Sequence, residues 1–256
     1  MQDAVGRDWA MVLDELHLAF VHITRTGGTS IEAALAGQDW WNISPHTKHL
    51  SARQTRAQMG EEKWSSFFKF SIVRNPWDRV VSMFATSWWM GDDRQSNAEA
   101  EFEYFIENLT PHPNEKYSSL MYSEIINEQL DMIIRYEAIQ KGFDKVCELV
   151  GKPPVILGRE ESRQRRHYST YYTDTTRKKV GELFKKDIED YQYKFERAED
   201  FSPKALTVLC DEALARRSPP TAPVKEVSDR LLWLGPKLSV PATRILRRAF
   251  RKSSGK

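Results

Sequence analysis

Three short apolar runs are spaced along the chain, and each is bounded by polar or turn-forming residues. They cover residues 17–23 (HLAFVHI), 67–73 (FFKFSIV) and 131–136 (DMIIRY). Runs of this length that are rich in branched and aromatic side chains are typical of buried strands. We therefore predict three strands separated by long connections.

Helix signals fill those connections. The segment IEAALAG predicts a helix that ends at Gly37, and Ser51 predicts a cap for a helix that extends to about Met59. The pair Asn75-Pro76 predicts another helix start, because proline suits the first helical position. Further helices are predicted over 98–109, 138–150, 175–188 and 203–216. This alternation favours an α/β fold whose parallel sheet has helices on both faces and a ligand at the carboxyl ends of its strands.

The composition is that of an ordinary globular protein. The 256 residues are 40% hydrophobic and 29% charged, with a mean hydropathy of −0.59, which excludes disordered, collagen-like and disulfide-rich classes. Cys147 and Cys210 lie far apart in predicted helices, so we expect reduced thiols and no disulfide. No apolar run is long enough to span a membrane, and residues 1–16 carry acids that a signal peptide lacks, which favours a cytoplasmic location.

The small net charge of +2 hides a basic C-terminal segment. Residues 225–256 contain nine basic residues and two acids, a net charge of +7, so the preceding 224 residues carry −5. The segment 216–224, RRSPPTAPV, is typical of a linker. We therefore predict one domain over 1–217, followed by a Pro-containing linker and basic tail over 218–256. The tail is either a solvated segment or a contact for an anionic membrane surface or an acidic polymer.

The segment TRTGGTS, residues 24–30, follows the first predicted strand and opens a helix. Gly27 and Gly28 would let the backbone wrap around an anion at the helix N-terminus, and Arg25 would add a positive charge. Hydroxyl donors would come from Thr26, Thr29 and Ser30. The alternative is an ordinary glycine turn with a Thr/Ser cap. The lysine of the GxxxxGK[ST] motif is missing, which disfavours ATP hydrolysis and phosphoryl transfer.

A second candidate anion site lies in residues 71–84, SIVRNPWDRVVSMF. Arg74 ends the second strand and Ser82 lies on the helix that follows, so both could reach the space above the sheet. Arg74 could instead bridge to a loop acid. For Arg79 the simplest expectation is a surface ion pair with Asp78 or another acid. Two separated anion sites on one sheet suggest a nucleotide that carries phosphates at both ends.

Four segments together resemble a known superfamily: HITRTGGTS, KHLSA, FSIVRNPWDRVVSMF and RHYSTYYTDTTRKKVGELFKKDIEDYQYKF. They are similar to the PAPS-dependent carbohydrate sulfotransferases, in particular to the HIPKTGGTS-type branch that includes heparan sulfate 2-O-sulfotransferase and bacterial relatives. The resemblance covers about residues 17–197. It implies 3′-phosphoadenosine 5′-phosphosulfate (PAPS) as the sulfuryl donor, no metal, and a P-loop-like three-layer sandwich with a central parallel sheet flanked by helices.

The resemblance also implies roles for individual residues. The 5′-phosphosulfate would be held by Arg25, Thr26, Gly27, Gly28, Thr29 and Ser30. Arg74 and Ser82 match the pair that holds the 3′-phosphate, and the loop 161–172 matches the one that closes over the nucleotide. In that loop the candidates are Arg163, Arg166 and Tyr171, with surface ion pairs or core packing as the alternative. Trp40, Trp41, Trp88 and Trp89 either stack on sugar rings or belong to the core.

His49 matches the histidine that serves as the base in the 2-O-sulfotransferase branch, and the helix N-terminus that follows it favours the neutral ring. A loop histidine without catalytic role is the alternative, with His46 and His22 as reserve candidates. The family motif has proline where this chain has Thr24 and lysine where it has Arg25. Arginine keeps the positive charge near the departing phosphate but is bulkier and less mobile.

These residues lead to one expected function and several alternatives. The expected function is transfer of a sulfuryl group from PAPS to a hydroxyl of an oligosaccharide, polysaccharide or glycolipid, with Arg25 and His49 as catalytic residues. Sulfation of an amine or a tyrosine is the alternative within the same class. A non-catalytic module that binds acidic polymers or nucleic acid through the basic tail is the alternative from another class. The expected partner is a sugar-containing acceptor rather than nucleic acid, and the tail could hold a cytoplasmic enzyme at the inner membrane.

Overall fold

The structure is a computed structural model that describes residues 10–86, 98–109, 119–158 and 166–200. The predicted helix over 203–216, the linker and the basic tail lie outside these residues. The domain boundary at 217/218 therefore stays a prediction.

A four-stranded sheet forms the centre of the described residues, with its strands in the order β1-β2-β3-β4. The strands are β1 (Val12–Leu13), β2 (Leu18–Val21), β3 (Phe68–Val73) and β4 (Met132–Arg135). The last three are parallel, with Phe20 opposite Phe70 and Phe70 opposite Met132. They confirm the three predicted strands and the parallel centre of the sheet. The sequence did not predict β1, a short antiparallel edge strand that a 3₁₀ turn over Asp14–Leu16 joins to β2.

The predicted helix ends agree with the structure where local chemistry determines them. The helices of the described residues are α1 (Gly28–Ala36), α2 (Ala52–Met59), α3 (Glu61–Ser66), α4 (Pro76–Phe84), α5 (Ala98–Glu107), α6 (Tyr122–Ile125), α7 (Ile139–Leu149), α8 (Asp174–Leu183) and α9 (Lys185–Asp190). Gly37 ends α1 in the left-handed conformation, Ser51 caps α2 in a capping box with Gln54, and the Asn75 side chain caps α4. The single helix predicted over 175–188 is instead two helices that meet at Phe184.

Different helices cover the two faces of the sheet, because successive side chains of a strand point to opposite faces. On one face Phe20 and Ile72 pack against residues of α1 and α7. On the other face Ala19 and Val21 pack against residues of α2 and α3. This arrangement is the predicted three-layer α/β sandwich. It places the starts of α1 and α4 at the carboxyl ends of β2 and β3.

A second core lies beside the sheet, where α4 packs against α5 and α8 through residues that include Val80, Phe102 and Val180. It fixes one side of α4, the helix that carries Arg79 and Ser82. In the described part of the chain, no helix has both the length and the apolar character needed to cross a membrane.

Candidate active site

The loop over residues 24–30, which we call the anion loop, has no room for side chains at its two glycines. A Cβ atom on Gly28 would lie 2.1 Å from Cδ2 of His22, and one on Gly27 would lie 2.9 Å from the ring of Tyr136. Gly27 also has a φ of +84°, in the left-handed region that favours glycine. The close turn brings the backbone to the N-terminus of α1, where N–H groups without intrahelical acceptors can bind an anion.

The hydroxyl groups of the anion loop are not all oriented to bind an anion. Thr26 is fully buried, and its hydroxyl donates to the Ile23 carbonyl at 2.8 Å. Its contribution to an anion would therefore come from its backbone N–H. Thr29 and Ser30 are half-buried in the first turn of α1, at the predicted place for hydroxyl donors.

Alanine at position 28 is expected to destabilise the protein by about 2–3 kcal/mol, because the added methyl group overlaps the buried His22 ring. Gly37→Ala is the matched control, since Gly37 has a φ of +79° but open space around its Cα. It should cost only the backbone term of about 1 kcal/mol. Urea unfolding of both variants measures the difference, and equal losses of stability would contradict the steric argument.

Arg79 is fully buried, and the sequence expectation of a surface ion pair is wrong for this residue. Its guanidinium donates to the Thr24 carbonyl at 3.0 Å and to the Leu120 carbonyl at 2.6 Å, and it lies 4.8 Å from the centre of the Tyr122 ring. The acid next to it in the sequence, Asp78, pairs with another arginine. Arg79 therefore holds the start of the anion loop to the rest of the domain.

Arg74 lies at the end of β3 and touches the anion loop directly. It donates to Asp78 Oδ2 at 2.7 Å and to the backbone carbonyl of Arg25 at 3.0 Å, and its guanidinium stacks on Tyr136 at 4.0 Å. Burial alone lowers the pKa of the Arg74 guanidinium, but the nearby Asp78 and Tyr136 outweigh burial and raise the pKa. Arg74 therefore carries a fixed positive charge at the carboxyl end of the sheet.

Arg25 connects the two anion sites that the sequence predicted separately. Its Nε donates to Ser82 Oγ at 3.1 Å, while its carbonyl accepts from Arg74. The structure thus brings Arg25, Ser82 and Arg74 into one cluster. Of the two guanidinium groups in this cluster, that of Arg74 is buried and already paired with Asp78, whereas Arg25 is half-buried.

The loop 161–172, which the resemblance places over the nucleotide, is described only from residue 166 onward. The exposed Arg166 places its guanidinium 5.3 Å over the ring of Tyr171, and Tyr171 packs against Phe84 and Phe102. Both residues thus lie beside α4, the helix that carries Ser82. The third candidate, Arg163, lies outside the described residues, as do Trp88 and Trp89.

His49 lies next to the strand that leads into the anion loop. Its Nδ1 bonds to the backbone carbonyl of His22 at 3.0 Å, and the two imidazole rings are 4.3 Å apart. Because a carbonyl can only accept, this bond puts the proton on Nδ1 and makes Nε2 the basic nitrogen of the neutral ring. The Trp41 ring lies 6.0 Å from His49, whereas Trp40 is a buried core residue, in agreement with the core alternative for that residue.

A buried ionic network beneath His49 was not predicted from the sequence. Glu32, on the second turn of α1, is fully buried and accepts from His22 Nδ1 at 2.5 Å and from Lys48 Nζ at 2.7 Å. Lys48 also pairs with Asp39. Burial raises the pKa of the Glu32 carboxyl, but the charges and hydrogen bonds of His22 and Lys48 outweigh burial and lower the pKa from 4.5 to about 2. Glu32 is therefore an ionised, fully paired carboxylate.

The Glu32 pKa leads to a pH-dependent difference in stability. A carboxyl that titrates at 4.5 when unfolded and at about 2 when folded stabilises the folded state above pH 4.5, by about 3 kcal/mol. That stability is lost as the pH falls from 4.5 to about 2, where the folded carboxyl becomes protonated. We expect the unfolding free energy of Glu32→Gln, followed by urea denaturation between pH 5 and pH 2.5, to fall less steeply than that of the wild type. Parallel slopes for the two proteins would contradict the assignment.

No group of three or more His, Cys, Asp or Glu side chains in the described ranges could hold a metal ion. The groups that lie at or near the carboxyl end of the sheet are the guanidinium groups of Arg25 and Arg74, the backbone N–H groups at the start of α1 and the imidazole of His49.

The fold and the site together define an α/β protein with an anion loop at the carboxyl end of its sheet, a second cationic residue beside that loop, and no kinase lysine. Residues 9–194 match the model of a family described as the Sulfotransferase family. Because the match spans more than half of the chain, the protein belongs to this family and is a transferase whose general activity is sulfuryl transfer. Comparisons with curated proteins and with solved structures found no match.

Proposed function

We propose that the protein is a PAPS-dependent sulfotransferase of the HIPKTGGTS-type branch that acts on a hydroxyl of a carbohydrate. The observation that carries this proposal is the contact from the anion loop through Arg25 to Ser82 and Arg74. The two sites were expected to be separated, but these contacts join them, and the two arginines support the binding of a nucleotide with a 5′-phosphosulfate and a 3′-phosphate. The base candidate His49 bonds to the backbone carbonyl of His22. His22 in turn precedes the anion loop by two residues in the chain.

Each residue of the cluster has a distinct role in this proposal. Arg74 and Ser82 bind the 3′-phosphate, while Arg25 and the N–H groups at the start of α1 stabilise the charge that develops on the departing 5′-phosphate. PAPS supplies the activated sulfuryl group. His49 Nε2 takes the proton of the attacking hydroxyl as the new S–O bond forms and the S–O bond to the 5′-phosphate breaks. Alignment of the two reactants at this edge of the sheet supplies much of the remaining acceleration.

The nucleotide part of the proposal is tested by thermal unfolding of the full chain. Adenosine 3′,5′-bisphosphate (PAP), the product left when PAPS loses its sulfuryl group, is compared with equal concentrations of ADP and AMP. At 100 times its dissociation constant a ligand adds about 2.7 kcal/mol of stability, enough to raise the melting temperature by several degrees. We expect a shift with PAP alone. Equal shifts with ADP, or no shift with any nucleotide, would refute the 3′-phosphate site.

The acceptor is tested by transfer of ³⁵S from labelled PAPS to a panel of p-nitrophenyl glycosides, with tyramine and glucosamine as the phenol and amine alternatives. Preferred transfer to the glycoside hydroxyls supports the carbohydrate assignment. Preferred transfer to tyramine or to the glucosamine nitrogen would move the acceptor to those classes. PAP binding without transfer to any of them would favour the non-catalytic module.

We also propose that the enzyme works in the cytoplasm and that its basic tail touches an anionic membrane surface near a glycan acceptor. The net charge of +7 in residues 225–256 supports this contact. Sedimentation with phosphatidylglycerol vesicles should retain the full chain at low salt and release it at high salt, while phosphatidylcholine vesicles serve as the control. Equal retention on both would contradict an electrostatic contact.

A further inference from the structure

Glu32 joins three segments that the proposed reaction needs in fixed positions. Its Oε1 accepts from the ring of His22, at the end of β2, while its Oε2 accepts from Lys48 and, at 3.0 Å, from the backbone N–H of Trp40. All four residues are at most 5% exposed. The carboxylate is therefore a fixed junction between α1, the end of β2 and the segment 39–49.

A carboxylate at the buried position 32 is energetically unfavourable unless it is fully paired. Burial of an ion costs free energy, and a well-packed apolar side chain often stabilises a core equally well. Glu32 lies on the buried face of α1 together with Ile31 and Leu35, where an apolar residue would satisfy packing alone. What the carboxylate adds is direction, because three donors must meet its two oxygens at fixed angles.

Both anchors of Glu32 lead to His49. Lys48 is the preceding residue in the chain, and His22 provides the backbone carbonyl to which His49 Nδ1 bonds at 3.0 Å. The His22 ring also fills the space where a Cβ of Gly28 would lie, so the same anchor supports the anion loop. One carboxylate thus determines where the imidazole lies relative to the loop.

We propose that Glu32 is a positioning residue that, through His22 and Lys48, fixes the orientation and the Nδ1–H tautomer of His49 against the anion loop. The geometric part of this proposal concerns this chain's own residues, while its effect on turnover rests on the proposed function. Glutamine at position 32 has nearly the same shape but only one acceptor oxygen, so its NH₂ group must face one of the three donors. The network then either loses a bond at Lys48 or at the Trp40 N–H, or the His22 ring changes its own tautomer so that Nδ1 accepts from the NH₂ group.

The test compares Glu32→Gln with Asp187→Asn in the full chain. Asp187 is also a fully buried carboxylate, but it accepts from the backbone N–H groups of Tyr122 and Ser123, at the start of α6. Long-range ¹H–¹⁵N spectra of protein labelled at histidine nitrogens report the tautomer of each ring, and His49→Ala assigns the signal. Turnover and PAP affinity are measured on the same samples.

For Glu32→Gln we expect the His49 signal to change from a pure Nδ1–H tautomer to a mixture. With the glycoside that the wild type uses best, we expect kcat to fall by about 100-fold, as for a small misplacement of a catalytic group. PAP affinity should fall much less than kcat. Asp187→Asn should keep the tautomer and the wild-type ratio of kcat to PAP affinity, even if its melting temperature drops. Should Glu32→Gln not fold, Lys48→Met removes one anchor and is subject to the same expectations.

The positioning role of Glu32 and the carbohydrate acceptor are refuted by different results. An unchanged His49 tautomer in folded Glu32→Gln overturns the positioning role, whatever the activity. Equal losses of kcat and PAP affinity also overturn it, because the change would then act on the anion loop alone. A mixed tautomer in a protein whose wild type sulfates no glycoside supports the positioning role and refutes the carbohydrate acceptor instead.

Discussion

Replacement of His49 by alanine is expected to lower kcat by about 10²–10⁴-fold, the usual contribution of a positioned general base. The reason lies in the tautomer, since the bond from Nδ1 to the His22 carbonyl makes Nε2 the nitrogen that accepts a proton. PAP affinity should stay close to that of the wild type, because His49 is not one of the residues proposed to bind the phosphates. The measurement is ³⁵S transfer to the preferred glycoside under saturating PAPS, together with calorimetric binding of PAP.

His46→Ala is the matched control for this experiment. His46 lies in the same segment, three residues before His49, but it is exposed. Its replacement should leave kcat close to that of the wild type. A near-normal kcat for His49→Ala would refute its assignment as the base, and a selective loss in His46→Ala would transfer the role to that residue.

Arg79→Met is expected to cost about 3–5 kcal/mol of stability, which is large for one substitution. Methionine fills part of the volume but leaves the carbonyls of Thr24 and Leu120 without the donors that Arg79 supplies at 3.0 and 2.6 Å. Because Thr24 begins the anion loop, PAP affinity measured well below the melting temperature should fall as well. Urea denaturation and calorimetry measure the two effects.

Arg56→Met provides the comparison at a surface site. Arg56 also makes ion pairs, with Glu61 and Glu128, but its side chain is 38% exposed. Such pairs contribute little in water, so its unfolding midpoint should stay near that of the wild type. A small effect at Arg79, similar to that at Arg56, would contradict a structural role for the buried guanidinium.

The parts of the fold that the sequence predicts are those determined by neighbours in the chain. Gly37, Ser51 and Asn75 mark helix ends because their effects act within one helical turn. The three buried strands are apparent because each apolar run is short and bounded by turn signals. The edge strand β1 has only two residues and no pattern of its own, so its pairing with β2 could be found only in the folded chain.

The parts of the site that the sequence does not reveal depend on distant partners. Nothing local indicates that Arg79 is buried, because its acceptors Thr24 and Leu120 are 55 and 41 residues away in the chain. The sequence does contain an indication that Glu32 is buried and paired. It lies between Ile31 and Leu35 on the buried side of α1, and an acid on that side requires a buried partner. Its partners His22 and Lys48 nevertheless follow only from the packing of β2 against the segment 39–49.

The contacts of Arg79 also have a consequence for the order of events during folding. They close long loops in the chain, and contacts of high sequence separation form late because the entropy of loop closure opposes them. The anion loop is therefore completed only when β3, α4 and the segment around residue 120 have already come together. The proposed PAP site therefore needs the native domain, and we expect PAP binding to appear during refolding together with the native fold.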